Sequence, residues 1–412
     1  MSETVAIDDV QYIEDLYPRI EVDDQTVRRY QNAIDQLPPI EVSEDLKLID
    51  GYHRLRAHRQ EGRSKIEAEI TQVEDDDELF RLAVEANADH GLQLSKQEKK
   101  QIAREWKRSN GGITNKQISD VLSVSDSTMS NWVRDVAEEK REERRDTSLK
   151  LYLDYLAYPT EEDVAEELDV ARKTINNDLG KKSISGEITE QCDFIKVDNV
   201  WRFQHPDSEF GADGYPGRIP GQIVGNFLYH YTDEFDVVVD PMAGGGTTVD
   251  VCKRFNRRYA AFDINPLEDK GVRKNDATDG LPIEDGKVDA VFFDPPYWRL
   301  KDDDYIEGSI SAESVHEWLE TIDNLFEEFG RVGKSDMTVG MIVQPIYDDK
   351  ETGEFWDLPF QVNQLAQRRN WTLQQRISAP MTHGMKGNHA VQHAKENDYL
   401  LDLNRDVLVW EV

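Results

Sequence analysis

An aspartate, two prolines and a tyrosine end an apolar stretch in the second half of the chain. The run VDAVFF (288–293) has the continuous apolar character of a buried strand and leads into Asp294, Pro295, Pro296 and Tyr297. The prolines fix the backbone dihedral φ and remove two N–H donors, which leaves a rigid turn with an outward carbonyl. Asp294 and the Pro295 carbonyl could each accept one hydrogen of an amino group and so turn its nitrogen lone pair toward an electrophile. Tyr297 offers a ring on which a planar group could stack.

Three consecutive glycines mark a second candidate site further upstream. The apolar run 237–239 ends in Asp240, and Gly244–Gly246 then precede Thr247 and Thr248 at the start of a predicted helix. Glycines at a strand-to-helix turn let the backbone approach a ligand closely and leave helix N–H groups pointing at it. The spacing is not the G-x-G-x-x-G of dinucleotide-binding folds, and no G-K-[ST] follows, which excludes a P-loop. The pattern predicts a ligand-binding turn, and a plain tight turn is the alternative.

Acidic residues also end the next two predicted strands. Asp263 follows the run RYAAF (258–262), and Asp276 lies near the end of the third strand. One βα unit after a glycine turn, a carboxylate can accept both ribose hydroxyls of a nucleoside, and Asp276 could accept from an adenine amino group. A helix N-cap is the alternative for either residue. Acids at successive strand ends favour the nucleoside site.

The segments DPMAGGGTT (240–248) and DPPYW (294–298) resemble the cofactor-binding and catalytic motifs of the amino-methyltransferases that make N6-methyladenine or N4-methylcytosine in DNA. The resemblance covers about 200–412 and departs from the family's frequent F-x-G-x-G at Met242 and Gly244–Gly246. It implies a Rossmann-like α/β sheet and the cofactor S-adenosyl-L-methionine. It also implies methyl transfer to the exocyclic amine of a DNA base. Aspartate at the first motif position favours N6 of adenine over N4 of cytosine.

The resemblance further implies roles for individual residues. Asp263 would hold the cofactor ribose, and Asp276 would lie by its adenine. The implied catalytic residues are Asp294, Pro295, Pro296 and Tyr297. The implied cofactor-binding residues of the glycine segment are Asp240, Pro241, Ala243, Gly244, Gly246 and Thr247. The segment 217–232 resembles the part of the family that packs over the methionine moiety, and its candidate contacts are Arg218, Ile219, Pro220 and Gln222.

A polar loop, MTHGMKGNHAVQHAKEND (381–398), precedes the last predicted strand. It is either a surface loop or a loop beside the site that helps to bind DNA or to order the target. Its basic residues include His383, Lys386, His389 and His393. The histidine spacing resembles metal sites only weakly, and the two cysteines, Cys192 and Cys252, form no CxxC, so no metal is predicted.

The front of the chain contains a strand, a glycine and a basic helix in LKLIDGYHRLRAHRQEG (46–62). Gly51, His53 and Arg54 at this helix start make a candidate nucleotide or phosphate site. The run resembles the ParB/sulfiredoxin-like domain, whose members bind nucleotides such as CTP or ATP. The active cysteine of sulfiredoxins is absent, since the neighbour of Gly51 is Tyr52. A domain without nucleotide chemistry is the alternative.

Two segments, 114–136 and 159–182, have the pattern of a helix-turn-helix. Short polar and basic side chains on the second helix of each suit contacts with base edges and phosphates, which predicts double-stranded DNA as a partner. Helical hairpins that only pack are the alternative. The candidate DNA contacts are Ser127, Thr128, Asn131, Arg134, Arg172, Lys173 and Asn176.

The charge balance is unusual for such a partner, with 83 acidic and 49 basic residues and a net charge of −34. Nucleic-acid-binding proteins usually have a basic excess. The acidic charge indicates either a protein that does not bind nucleic acid or a cytoplasm of very high salt, in which charges are screened within roughly 3 Å. Acid dispersed along the whole chain is typical of halophilic archaeal proteins and favours the second interpretation, with a halophilic archaeon or its virus as the source. No apolar run approaches the roughly 18 residues of a membrane span, and the acidic start is unlike a signal peptide. We therefore expect a cytoplasmic protein without a membrane partner.

These observations predict four domains. They are a ParB-like domain (1–90), a helix-turn-helix domain (91–145), a second helix-turn-helix-like unit (146–185) and a methyltransferase domain (186–412). The favoured function is a DNA amino-methyltransferase whose front half binds DNA. The alternatives are an RNA base N-methyltransferase and a ParB-like regulatory protein with an inactive methylase domain. The sequence leaves open the recognition site, the oligomeric state and any partner restriction enzyme.

Overall fold

The computed structural model describes residues 2–13, 23–89, 94–109, 114–182, 192–203, 207–215, 217–296, 314–347, 355–380, 392, 395–396 and 404–412. By its internal contacts the chain divides into two compact units, 1–143 and 144–412. Within the described ranges, no helix combines the length and the apolar character needed to cross a membrane.

The first unit begins with a small mixed sheet. Its strands are β1 (Ser2–Ala6), β2 (Ile40–Ser43), β3 (Leu48–Asp50) and β4 (Lys65–Thr71), and its helices are α1 (Asp24–Gln31) and α2 (Tyr52–Gln60). The strand order is β1-β4-β2-β3, in which β2 and β4 are parallel and the other pairs antiparallel. Ile40 and Val42 of β2 share one apolar core with Leu55 of α2. The glycine-containing run of the sequence therefore becomes the β3–α2 connection.

Gly51, between β3 and α2, has a conformation that favours glycine. Its φ is +105°, and a Cβ atom added there would lie 2.6 Å from Cγ2 of Ile40. Any other residue at this position would meet both backbone strain and a clash with β2.

Three helices and the first part of a fourth, which continues into the second unit, complete the first unit. They are α3 (Asp76–Asp89), α4 (Lys96–Ser109), α5 (Asn115–Val121) and α6 (Asp126–Leu153). Thr114 and Gln117 form a capping box at the start of α5, and Ser123 has a φ of 50° in the turn to α6. Trp106 of α4 and Met129 of α6 pack in one core. α6 continues past residue 145, where a domain boundary is predicted from the sequence. The division into four domains remains a prediction.

The second unit contains the remaining strands and helices. The strands are β5 (Val237–Asp240), β6 (Arg258–Asp263), β7 (Val272–Lys274), β8 (Val288–Phe293), β9 (Gly333–Val343), β10 (Ile346–Tyr347), β11 (Phe355–Trp356), β12 (Thr372–Ser378) and β13 (Asp406–Glu411). The helices are α7 (Glu161–Glu167), α8 (Arg172–Lys182), α9 (Gly221–Tyr231), α10 (Thr247–Arg254), α11 (Val315–Val332) and α12 (Leu358–Arg368). β10 and β11 form a hairpin, and the other strands form a seven-stranded sheet in the order β12-β13-β9-β8-β5-β6-β7.

This sheet confirms the predicted α/β architecture with one correction. The apolar runs that alternate with helical stretches from about residue 186 onward, LVWEV (408–412) among them, predict a parallel sheet. This prediction is wrong for LVWEV, because β13 runs in the direction opposite to the other six described strands of this sheet. Ser378 at the end of β12 pairs with Asp406 at the start of β13. The chain therefore re-enters the sheet at the end where β12 stops, and β13 runs in the direction opposite to β12.

The central strands are mainly apolar, with charged residues near their ends, because both faces of the sheet are covered. Val239 of β5 and Phe293 of β8 face a core that includes Trp318 of α11. Val238 and Phe292, one residue earlier on the same strands, face the opposite core. This alternation places successive side chains of each strand in the two cores on opposite faces of the sheet.

Arg258, at the start of β6, holds the segment before α7 against the sheet. Its guanidinium donates to the carbonyl oxygens of Tyr158 (2.7 Å), Pro159 (2.9 Å) and Tyr152 (3.0 Å). It also lies 4.1 Å from the centre of the Tyr152 ring, and burial lowers its pKa. The predicted second helical unit therefore adjoins the strand that ends in Asp263.

Candidate active site

Four acidic residues lie at the carboxyl edge of the seven-stranded sheet. Asp240 ends β5, Asp263 ends β6, Asp276 follows β7 and Asp294 follows β8. From β5 the sheet grows outward through β6 and β7 on one side and through β8 and β9 on the other. Ligands of open α/β sheets bind outside the carboxyl ends of the strands at such a switch point. The residues predicted to bind cofactor and those predicted to be catalytic thus share one edge.

The glycine turn between β5 and α10 depends on glycine geometry. Gly244 and Gly246 have φ values of 49° and 76°, in the left-handed region. A Cβ atom at Gly246 would lie 2.8 Å from Cβ of Lys270. The Ala243 N–H donates to the Phe262 carbonyl at 2.8 Å, which joins the turn to β6. The conformation of this turn therefore depends on glycine at these positions, and its backbone is tied to the neighbouring strand.

Asp240 is a buried carboxyl group under this turn. It accepts hydrogen bonds from the Thr248 hydroxyl and from the Met242 N–H at 3.0 Å. Burial, aided by the charges of Asp263 and Asp294, raises the pKa of Asp240 to about 7, although the two hydrogen bonds oppose this. An ammonium group bound nearby would favour its ionised form.

Asp263 ties the glycine turn to the end of β6. Its carboxylate accepts from the Gly244 N–H and the Asn265 N–H, each at 2.9 Å. Asp276 accepts from the N–H of Thr278 at 3.0 Å and from its hydroxyl at 2.7 Å. Asp276 therefore makes the hydrogen bonds of a helix N-cap, which is the alternative to a nucleoside contact. Its place beside a cofactor adenine remains a prediction.

Tyr215 packs directly on the glycine turn. A Cβ atom at Gly244 would lie 3.0 Å from Cε1 of this ring, and one at Gly245 would lie 2.9 Å from its Cγ. Burial and the negative charge of Asp263 raise the pKa of Tyr215, so its ring borders the same ligand edge. No motif in the sequence marks this residue.

The predicted contacts in 217–222 include two buried polar atoms that fit a polar ligand. Arg218 donates through its Nη atoms to the Asp207 carbonyl and to the Asp213 carboxylate at 2.7 Å. Its Nε and the Oε1 of Gln222 are buried and have no hydrogen-bond partner in the described part of the chain. An α-carboxylate and an α-ammonium group, such as those of S-adenosylmethionine, would supply an acceptor and a donor for these two atoms, and the contact of Arg218 and Gln222 with the cofactor remains a prediction.

The predicted catalytic turn follows β8. Asp294 is half-buried and Pro295 is buried. The indole Nε1 of Trp318, a fully buried residue of α11, donates to the Pro296 carbonyl at 3.1 Å. This bond anchors a turn whose prolines have no N–H to offer. Tyr297, with the histidine loop 381–391 and His393, lies outside the described residues.

Trp318 illustrates what the sequence could not assign. It lies on the apolar face of a helix, where the pattern predicts only a core residue. A buried indole N–H usually has a hydrogen-bond partner, and that general rule is the one signal available in advance.

The predicted nucleotide site of the first unit is occupied by contacts within the protein. Arg54 donates to Asp50 at 2.6 Å and to the carbonyls of Pro38 and Pro39. His53 accepts from the Asp23 N–H at 3.1 Å through Nε2. These bonds fix the start of α2, and nucleotide binding at Gly51, His53 and Arg54 remains a prediction.

The predicted DNA contacts of α6 lie on one accessible face. Ser127, Asn131 and Arg134 are exposed and Thr128 is half-buried, while Met129 between them is buried. The Ser125 hydroxyl caps the helix by accepting from the Thr128 N–H at 3.2 Å. The polar residues therefore occur at the helix start, as recognition helices require.

The second set of predicted contacts lies on α8. Arg172 and Asn176 bind the same carboxylate, that of Glu161, at 3.0 Å and 3.1 Å. Lys173 is exposed. Two of the three side chains thus link α8 to α7, and their binding to DNA remains a prediction.

A DNA methylase family model matches residues 85–268. This match covers somewhat less than half of the chain. It includes Asp240, the glycine turn and Asp263 and ends before Asp294. The predicted DNA methylase thereby gains independent support, which does not separate adenine N6 from cytosine N4.

Solved structures resemble parts of the chain. ParB of Caulobacter crescentus complexed with CTP-gamma-S is 20% identical, and the likeness covers 33% of this chain and 79% of that one, with a TM-score of 0.20. A SAM-dependent methyltransferase of Aquifex aeolicus is 14% identical over 46% of this chain and 89% of that one, with a TM-score of 0.29. TrmN of Thermus thermophilus is 13% identical over 48% of this chain and 50% of that one, with a TM-score of 0.30. A search of curated proteins gives no match.

Proposed function

We propose that this protein transfers the methyl group of S-adenosyl-L-methionine to the exocyclic amine of a DNA base, with N6 of adenine favoured over N4 of cytosine. The observation that supports this most directly is the placement of the glycine turn and the Asp294–Pro296 turn after the adjacent strands β5 and β8. The Asp294 charge is close enough to raise the pKa of Asp240. The adjacency of these two turns supports a single site formed by both.

In the proposed reaction, Asp294 and the Pro295 carbonyl accept the two hydrogens of the target amine. The nitrogen lone pair is then directed at the methyl carbon, which is the geometry of in-line attack. When bound, S-adenosylmethionine supplies that methyl group on a sulfonium centre. The nitrogen–carbon bond forms as the carbon–sulfur bond breaks, and the amine loses one proton. The Asp294 carboxylate, already hydrogen-bonded to the amine, can hold this proton.

Substitution of Asp263 tests the proposed cofactor site. We expect Asp263→Ala to weaken binding of S-adenosylhomocysteine by about 10- to 100-fold, because charged hydrogen bonds to the ribose are lost. Titration calorimetry in molar potassium chloride measures this affinity. Asp269→Ala, which changes an exposed aspartate after the same strand, is the control and should have no effect. Unchanged affinity in Asp263→Ala would contradict the assigned ribose contact.

Substitution of Arg134 tests the proposed DNA contact of the first unit. Residues 94–143 contain ten basic and nine acidic residues, so this stretch is nearly neutral in a strongly acidic chain. We expect Arg134→Gln to weaken binding to duplex DNA by about tenfold, measured by fluorescence anisotropy at several salt concentrations. Arg81→Gln is the matched control, because Arg81 is ion-paired with Glu78 and Glu85 on α3. Equal losses in both variants would argue against a specific role of α6.

The decisive experiment is transfer of tritiated methyl from labelled S-adenosylmethionine to duplex DNA and, separately, to total RNA in molar potassium chloride. Nucleoside chromatography then identifies the product. Label in N6-methyladenine supports the proposal in full, and label in N4-methylcytosine changes only the base. Label in RNA alone would overturn DNA as the substrate. Cofactor binding without any transfer would indicate an inactive methylase domain in a DNA-binding protein.

A further inference from the structure

Gln344, the residue directly after β9, is a buried polar residue. It is 4% exposed, and its Oε1 atom has no hydrogen-bond partner among the residues that the structure describes. A buried acceptor without a partner opposes folding, and its retention calls for a reason such as an absent ligand.

The position of Gln344 in the sheet brings it beside the catalytic turn. β8 and β9 are parallel neighbours, and Phe293 pairs with Met341 near their carboxyl ends. Three residues further along each chain lie Pro296 and Gln344. Pro296 and Gln344 thus both follow the carboxyl ends of neighbouring strands, which lie about 5 Å apart, and so belong to the ligand edge of the sheet.

A second polar atom without a partner lies on the adjoining hairpin. Trp356 of β11 pairs with Ile346 of β10, two residues after Gln344. The indole Nε1 of Trp356 is buried and has no partner within the described ranges. The Trp356 ring packs edge-on against the ring of His316, with the ring centres 5.6 Å apart. His316 lies two residues before Trp318, whose indole N–H binds the Pro296 carbonyl. A donor and an acceptor without partners therefore lie on the β9–β11 segment next to the proposed catalytic turn.

We propose that the Gln344 carboxamide binds the target base at the edge that carries the reacting amine. This inference rests on the proposed function and deepens it. In adenine and in cytosine a ring nitrogen acceptor lies next to the exocyclic amine, so this edge offers a donor and an acceptor together. A carboxamide presents the complementary pair, which is why Gln and Asn recognise adenine through two hydrogen bonds. Here the Nε2 of Gln344 would donate to the ring nitrogen, and its Oε1 would share with the Pro295 carbonyl the amine hydrogen that Asp294 does not accept. A base turned out of its duplex places this edge inside the enzyme pocket.

Two substitutions and one control test the assignment. Gln344→Met keeps the length of the side chain and removes its hydrogen bonds, while Gln344→Glu keeps only acceptors. Gln374→Met is the control, because Gln374 is an exposed residue of β12 that donates to Glu411 at 2.7 Å. We expect Gln344→Met to lower kcat/KM for DNA by about 10- to 100-fold, the discrimination of one bidentate base contact. Gln374→Met should retain wild-type values.

Three further readouts separate base binding from a structural role. In Gln344→Met, calorimetric affinity for S-adenosylhomocysteine should stay within about twofold, and the melting temperature should be equal or higher, since an unpaired buried acceptor is removed. Anisotropy with a mixed-sequence duplex should be unchanged, because phosphate contacts supply non-specific affinity. A loss in Gln344→Glu equal to that in Gln344→Met would assign the essential contact to the amide donor.

Retention of full activity in Gln344→Met would overturn the inference, as would an activity loss accompanied by a lower melting temperature and weaker cofactor binding. These outcomes differ from failure of the proposed function. If the wild-type protein methylates RNA alone, DNA fails as substrate, while a loss on RNA in Gln344→Met would still support base binding. If the wild-type protein methylates neither, both proposals fall.

Discussion

Replacement of Asp294 by alanine is expected to reduce methyl transfer by roughly 10³-fold, the upper range for loss of one preorganised hydrogen-bonding group in an active site. The Asp294 carboxylate is half-buried directly after β8. In the proposed reaction it accepts a hydrogen bond from the target amine and then takes the proton that the amine loses. Without it the amine loses its one charged acceptor. Tritium transfer to DNA under single-turnover conditions measures the effect directly.

The control for this variant is Asp336→Ala, which removes an exposed aspartate near the opposite, amino-terminal end of β9. It should leave transfer unchanged. Asp294→Ala should bind S-adenosylhomocysteine and duplex DNA as the wild-type protein does. Full activity in Asp294→Ala would refute the mechanism, while joint loss of activity and cofactor affinity would assign Asp294 to cofactor binding.

Replacement of Trp318 by phenylalanine is expected to lower kcat by about 10- to 100-fold with little change in KM for the cofactor. The substitution removes the N–H that holds the Pro296 carbonyl at 3.1 Å. A displacement of about 1 Å in a group that positions the substrate lowers the reaction rate on the order of 10²-fold. Steady-state kinetics with varied cofactor concentration separates kcat from KM.

The matched control is Trp410→Phe. Trp410 is also fully buried, and its indole Nε1 donates to Asn363 at 3.0 Å, so the two variants lose the same group from the same type of environment. Trp410 lies on β13, away from the catalytic turn. We expect similar decreases in melting temperature, with the large loss of kcat confined to Trp318→Phe. Parallel losses of kcat would show that Trp318 contributes only to stability.

Local sequence was sufficient to predict the elements that carry the chemistry. The apolar runs that end in Asp240, Asp263 and Asp294 form β5, β6 and β8, as predicted, because their composition requires burial on both sides. The glycines at 244 and 246 adopt positive φ for a reason that is equally local. Sequence alone could not give the direction of β13, since strand direction depends on where the connecting chain re-enters the sheet.

The sequence by itself determined the strands, the turns and the types of chemical group at their ends, because these follow from short-range backbone preferences and apolar periodicity. Only the tertiary structure decided which distant residues serve those turns. Trp318 reaches Pro296, Tyr215 covers Gly244, and Gln344 leaves its strand beside the catalytic turn. None of these residues belongs to a local pattern, because their contacts join segments that only the folded sheet brings together.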